Sequence, residues 1–283
     1  MSTKSVNPPT EYILANPDEI QRLTYNHNLF AAAMNNNLVL APIDFSTQNS
    51  LRILDSATAN GLWLRDLASK MPNPGHHEFV GTDISPADFP SEPDNNFSYK
   101  IQDVNKPWPE KLKGSFDLVH QRLGLAASGT STKFAVLALA ELVKPGGWVQ
   151  FVEMEDRICE SDGETWKKAV GLMRAIFGAM NARLGIADEI AAWLRAEAGL
   201  VDVQEKVVEI GYGAKSGDAT LAEEGIWATR KSFEGLIGFA KTLTGEVLGI
   251  EAKDLDKLPE TLEKECRERG HSFFLRVVWG RKE

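Results

Sequence analysis

Three acidic residues stand at the ends of short apolar runs: Asp55 after Leu51–Leu54, Asp83 after "HEFVGT" and Asp103 after "FSYKIQ". A fourth run, "SFDLV", ends in His120-Gln121-Arg122. A carboxylate at a strand tip can take both hydroxyls of a ribose in charge-assisted hydrogen bonds. Asp83, 28 positions after Asp55, is the candidate for that task. An imidazole titrates near neutral pH, so His120 is the first candidate for a general base, with His27 and Glu153 next. From Asp55 to Gly61 the chain reads Asp-Ser-Ala-Thr-Ala-Asn-Gly, four of seven positions being Ser, Ala or Gly. Small residues let a ligand approach the backbone.

The ligand type follows from what this turn lacks. A dinucleotide turn seats a pyrophosphate on G-x-G-x-x-G at a helix N-terminus. Here those glycines are absent, and Asp55 would repel a pyrophosphate. S-adenosylmethionine (SAM) carries no phosphate. Its α-amino group can meet an acid, and its sulfonium tolerates acidic surroundings. An acidic crevice therefore favours SAM over a nicotinamide dinucleotide.

The elements needed to position these residues are legible in the periodicity. A helix is expected over 16–37, opened by Asn16 as cap and Pro17 at the first turn, and stopped in Asn35-Asn36-Asn37. Four strands ending near Asp55, Asp83, Asp103 and His120 follow, with a helix over about Gly61–Lys70. "TKFAVLALAELVK" reads as a helix closed by Pro145-Gly146-Gly147, with Gly146 at positive φ, before a fifth strand. Two helices parted near Gly185, a sixth strand from Val201, helical stretches over Ala219–Gly249 and Asp254–Gly270, and a last strand "SFFLRVVWG" complete the chain. The alternation predicts an α/β fold with a mainly parallel, seven-stranded, Rossmann-like sheet. Ligands of such sheets bind at the carboxyl ends of the strands, where the strand order switches.

The organisation expected is a disordered arm over 1–15 and a single domain over 16–283. Within it, 16–37 is a lid helix, 50–155 the cofactor-binding core, and 156–283 the substrate-lid helices and last strands. With 43% hydrophobic residues, the 283-residue chain can bury one large core. Its net charge of -9 opposes phosphate backbones and anionic membranes, so the expected partner is a small molecule rather than nucleic acid or membrane. No run reaches the roughly 18 apolar residues of a spanning helix. Two isolated cysteines, Cys159 and Cys266, fit free thiols in a reducing cytoplasm and offer no metal site. His76 and His77 are expected to be solvent-exposed in their Pro/Gly loop. Trp108 and most of Trp166, Met173, Phe177, Met180 and Trp227 are expected in the core.

Taken together, "RILDSATANGLW", "GTDISP", "QDVNKPWP", "FDLVHQR" and "ELVKPGGWVQFVE" resemble, in order and spacing, the motifs of class I SAM-dependent methyltransferases. They are most similar to the fungal secondary-metabolite group, which includes N-methyltransferases of gliotoxin-type dioxopiperazine pathways, various O-methyltransferases and relatives of a regulator. The resemblance covers Asp18–Glu155 and follows the remainder in outline. It implies methyl transfer to N or O of a small metabolite, N slightly favoured. By the same resemblance, Asp55 and the turn Ala57, Ala59, Gly61 would contact the methionine part of SAM. Asp83, with Ile84 beside it, would bind the ribose, and Asp103 and Val104 the adenine. His120, Gln121 and Arg122 would line the junction with the substrate, and Tyr25 and His27 would close the pocket. The family places glycines where this chain has Ala57 and Ala59. That departure keeps two alternatives open: a non-catalytic regulator or subunit, and an enzyme of rearrangement or cyclisation without methyl transfer.

Overall fold

A computed structural model describes residues 18–48, 50–182, 184–241 and 252–283. The expected arm over 1–15, the Asn16-Pro17 helix start and the helical stretch over 242–249 lie outside the described residues. In chain order the elements are α1 (Glu19–Ala33), β1 (Arg52–Ser56), α2 (Leu62–Lys70), β2 (Glu78–Asp83), β3 (Phe97–Ile101), β4 (Phe116–Arg122), α3 (Thr132–Glu141) and β5 (Val143–Met154). They continue with α4 (Glu164–Ala179), α5 (Ala187–Ala196), β6 (Val201–Tyr212), α6 (Ala219–Ala240), α7 (Ala252–Leu255), α8 (Leu258–Glu268) and β7 (His271–Arg281).

The seven strands form one sheet in the order β3-β2-β1-β4-β5-β7-β6. β1 pairs in parallel with β2 and β4, β2 with β3, and β4 with β5. The order therefore reverses between β1 and β4, and it is at the carboxyl ends beside such a reversal that open sheets of this kind bind ligands. β7 runs the other way: Lys282 N–H donates to Gly147 O, and Glu155 N–H to Phe274 O, so numbers rise on one strand as they fall on the other. Cross-strand pairs Arg281–Asp202 and Arg276–Glu205 set β6 against β7 in the same opposed sense. The sheet is mixed: β1–β6 run in one sense and β7, between β5 and β6, is reversed.

The described chain divides into two compact units. One gathers the described residues of Asn37–Met154, Gly185–Val207 and Arg276–Glu283. Its core is Leu54, Val80, Phe116, Val119, Leu139, Val149, Phe151, Ile190 and Leu194, with Trp108 packed among them. β1, β2 and β4 supply apolar residues on both faces, as strands covered on two sides require. The other gathers the described residues of Met1–Asn36, Glu155–Leu184 and Val208–Leu275. It packs Trp166, Leu172, Ile176 and Met180 of the α4 region against Phe233, Leu236 and Leu262. Its most unusual feature is a three-ring stack. His271 lies 3.7 Å from Trp166 and 4.9 Å from Tyr212, centroid to centroid.

Two local expectations need correction. The helix before β5 stops at Glu141 and not at Pro145-Gly146-Gly147. Pro145 lacks an N–H and disfavours the helical conformation at Lys144. The chain enters β5 at Val143, and Lys144–Gly147 bulge out between the Phe116–Val143 and Leu118–Trp148 pairs. Gly146 does adopt φ +81, but within that bulge. His77 is buried and not solvent-exposed. Its Nδ1 accepts the Leu51 N–H at 3.0 Å and its Nε2 faces Pro72 O at 3.2 Å, an arrangement that a neutral ring satisfies. α1 ends as expected: Asn35 and Asn36 take φ +55 and +58, the left-handed exit that asparagine tolerates.

Candidate cofactor crevice

The turn from β1 into α2 follows a path suited to glycine. Ala57 has φ +56, Ala59 +48 and Gly61 +73. An L-residue in this region costs about 1–2 kcal/mol, so each alanine must be held there. Thr58 N–H donates to Thr82 O at 3.0 Å and Gly61 N–H to Thr58 O at 2.8 Å. The Thr58 hydroxyl donates to Asp55 Oδ2 at 2.7 Å. Ala59 N–H donates to Asp83 Oδ2 at 2.9 Å. The alanines thus keep the backbone course of a glycine turn because neighbouring polar groups over-determine it.

Asp83, at the tip of β2, also accepts the Ser85 N–H on Oδ1 at 3.1 Å. Each carboxylate oxygen has two lone pairs, so both retain capacity for a ligand donor. Ile84 beside it is 56% exposed. Asp103 lies two residues beyond β3. Gln102 N–H donates to Asp83 O at 2.8 Å, which brings Asp103 alongside Asp83. Asp103 Oδ1 accepts the Asn105 N–H of its own turn at 2.9 Å, and Val104 packs on the core. The crevice therefore brings together Asp83, Ile84, Asp103 and the turn at Ala57, Ala59 and Gly61.

Asp55 and His120 differ from expectation. Asp55 is only 3% exposed. Its Oδ1 meets His120 Nδ1 at 2.7 Å and its Oδ2 takes the Thr58 hydroxyl, so the carboxylate is turned inward to lock the turn. His120 lies within β4, in register with Asp55 and Gln150. It is 1% exposed and stacked on Trp63 at 3.6 Å with an interplanar angle of 2°. Burial holds its pKa below the ordinary histidine value, against the raising effect of Asp55. The ring is neutral near pH 7, with Nδ1–H donated to Asp55 and a lone pair on Nε2. That Nε2 is buried and has no hydrogen-bond partner among the described residues. Gln121, the next residue of β4 and so on its opposite face, brings its carboxamide to Glu153. Arg122, the last residue of β4, is half-buried.

Tyr25 and His27 belong to α1, in the other unit. Tyr25 packs edge-on to Trp227 at 5.2 Å, and His27 is buried. Three residues that sequence reasoning passed over shape the crevice. Thr58 bridges the turn to Asp55, and Trp63 walls His120. The ring of Tyr99 lies over Gly61 and Gly81, where a Cβ would come within 2.2 Å and 2.6 Å of it. Only a glycine at 61 leaves room for the turn to close beneath Tyr99, and that glycine was the one signal available. Among the described residues no group of three or more His, Cys, Asp or Glu could hold a metal ion, and no helix is long and apolar enough to cross a membrane.

No protein-family model matches the chain. It is 35% identical over 286 residues to the N-methyltransferase sirN of Leptosphaeria maculans, covering 97% of this chain and 96% of that protein. It is also 35% identical over 291 residues to the N-methyltransferase gliN of Aspergillus fumigatus, covering 98% and 99%. The chain belongs to this family of fungal methyltransferases. The methyltransferase also shares its fold with a Haemonchus contortus phosphoethanolamine N-methyltransferase solved with S-adenosylhomocysteine. The TM-score is 0.54 at 13% identity, over 97% of this chain and 60% of that one. In the methyltransferase Ala57 and Ala59 both take the left-handed backbone that glycine favours.

Proposed function

We propose that this methyltransferase transfers the methyl group of SAM to a nitrogen of a small secondary metabolite, in a reducing cytoplasmic compartment. The observation that carries the reading is the left-handed turn Ala57–Gly61, tied to the Asp83 carboxylate at the β1/β4 switch of the sheet. Full-length likeness to proteins named N-methyltransferases supports nitrogen as the acceptor. The net charge of -9 supports a small-molecule substrate over nucleic acid. The free thiols Cys159 and Cys266 support the compartment.

The residues present fit the cofactor. A buried polar atom without a partner is costly, and His120 Nε2, within β4, is such an atom. Asp83 would take the ribose hydroxyls on its remaining lone pairs, with Ile84 against the nucleoside. Asp103 and Val104 would meet the adenine, and the backbone of Ala57–Gly61 the methionine part. SAM, when bound, supplies an electrophilic methyl group on a sulfonium, which is already a good leaving group. The chain's own contribution is positioning and exclusion of water. Asp55 orients His120 through Nδ1 and leaves Nε2 as an acceptor for a ligand N–H. An amine nucleophile sheds its proton after attack, so a strong base is not required, and His120 serves to hold and receive that proton. Gln121 and Arg122 would line the junction with the acceptor.

Purified protein incubated with methyl-labelled SAM and a panel of dioxopiperazines and secondary amines, followed by mass spectrometry, tests this reading. A labelled product heavier by one methylene is expected. A product of unchanged mass would assign the protein to rearrangement chemistry. Absence of SAM binding by calorimetry would assign it to a non-catalytic role.

A further inference from the structure

The loop after β4 is held by an unusual set of contacts. Leu123 has φ +53, a region that residues with a side chain rarely adopt, and it is 39% exposed. Its N–H donates to Val152 O at 2.9 Å. The next two N–H groups, of Gly124 and Leu125, converge on a single atom, Glu153 Oε1, at 3.1 and 3.0 Å. Glu153 is 1% exposed, at the carboxyl end of β5. On its other side the loop meets the turn after β1. A Cβ at Gly124 would stand 2.9 Å from Ala57 Cβ and 2.7 Å from Gln121 Nε2, so glycine is needed for the loop to close on Ala57.

Burying a carboxyl group is expensive, and here it meets the N–H of the fully buried Leu125 and that of the half-buried Gly124, which would otherwise be withdrawn from water without a partner. A buried carboxyl committed to two loop amides, next to a strained leucine, fixes the course of the loop. We propose that Glu153 is a positioning residue: by fixing Gly124 and Leu125 it seats the post-β4 loop against Ala57 and sets the width of the cofactor crevice. Leu123 is thereby turned outward at the rim, with its backbone held in place by Val152. The inference rests on the reading of the crevice as a SAM site.

The probe is S-adenosylhomocysteine, titrated by calorimetry into the full chain, alongside amide hydrogen exchange of the peptide containing Gly124 and Leu125. In folded Glu153→Leu, affinity falls about tenfold or more and exchange at these amides rises by a similar factor, as expected for loss of hydrogen bonds to a shared acceptor. Glu153→Gln keeps a side-chain carbonyl at the same place and stays within about threefold of the unaltered protein in both measurements. A folded Glu153→Leu that matches the unaltered protein overturns the proposal. So does a Glu153→Gln as impaired as Glu153→Leu. If Glu153→Leu does not fold, Gly124→Ala decides, because its methyl pushes the loop from Ala57 with Glu153 intact. Weaker binding, partly restored by adding Ala57→Gly, supports the proposal, and unchanged binding overturns it. Absence of S-adenosylhomocysteine binding by the unaltered protein overturns the cofactor reading itself, and exchange at Gly124 and Leu125 then still decides whether Glu153 holds the loop.

Discussion

Replacing Glu153 with Gln isolates the electrostatic cost of the buried carboxyl at the end of β5. Burial pushes its pKa from 4.5 up to about 7, against the lowering effect of the Leu125 and Gly124 N–H groups. A raised carboxyl pKa means that the folded state binds the proton more tightly than the unfolded chain. The stabilisation is therefore complete below pH 4.5 and is lost as pH rises through about 7. A difference of this size corresponds to about 3 kcal/mol of stability lost by the alkaline side. Gln has nearly the same shape and keeps an acceptor for the two loop amides, but it does not ionise. Urea denaturation between pH 5 and 9 measures the effect. The unaltered protein is expected to lose stability across this range faster than Glu153→Gln. The two curves diverge by about 3 kcal/mol at the alkaline end. Parallel curves would refute the reasoning, since they would mean that Glu153 ionises alike in the folded and unfolded states.

Asp83→Ala removes the acceptor for the Ala59 and Ser85 N–H groups, and calorimetry should register weaker SAM binding with a stability loss of about 1–3 kcal/mol; unchanged affinity would remove Asp83 from the cofactor site. Gly61→Ala places a methyl 2.2 Å from the Tyr99 hydroxyl at φ +73, so a loss of about 2 kcal/mol or more is expected in denaturant titrations. Adding Tyr99→Ala should recover part of that loss, and strict additivity would show that Tyr99 is not the obstacle. His271 is held down to a pKa of about 3 from 6.5, chiefly by burial, so the unfolded chain takes up its proton first and stability drains away as pH falls below about 6.5. His271→Phe keeps an aromatic ring between Trp166 and Tyr212 and should unfold at lower pH in acid titrations; an unshifted acid midpoint would contradict the assignment.

Much of the fold was legible because local sequence and global fold agree. β1, β2 and β4 are short apolar runs that suit strands buried on both faces, and each ends near a polar residue where the sheet meets the crevice. Asn35-Asn36 at the end of α1 and Gly185 between α4 and α5 announced breaks whose backbone conformations those residues tolerate. The run Lys144–Gly147 reads as a helix stop, yet proline and glycine end helices and also form bulges. What decided between them was the pairing of Phe116 with Val143, a contact 27 positions apart in the chain.

The crevice divides in the same way. Sequence by itself determined which residues could reach the strand tips, Asp83 and the small-residue turn above all, because strand ends and turn composition are local properties. Only the tertiary structure decided what each does there. Asp55 faces inward because His120 and Thr58 take both its oxygens, and Ala57 and Ala59 keep left-handed backbones because groups from β2 hold them. Glu153 serves a loop on the neighbouring strand. Hydrogen-bond partners and burial arise between segments distant in the chain, so no run of residues could encode them alone.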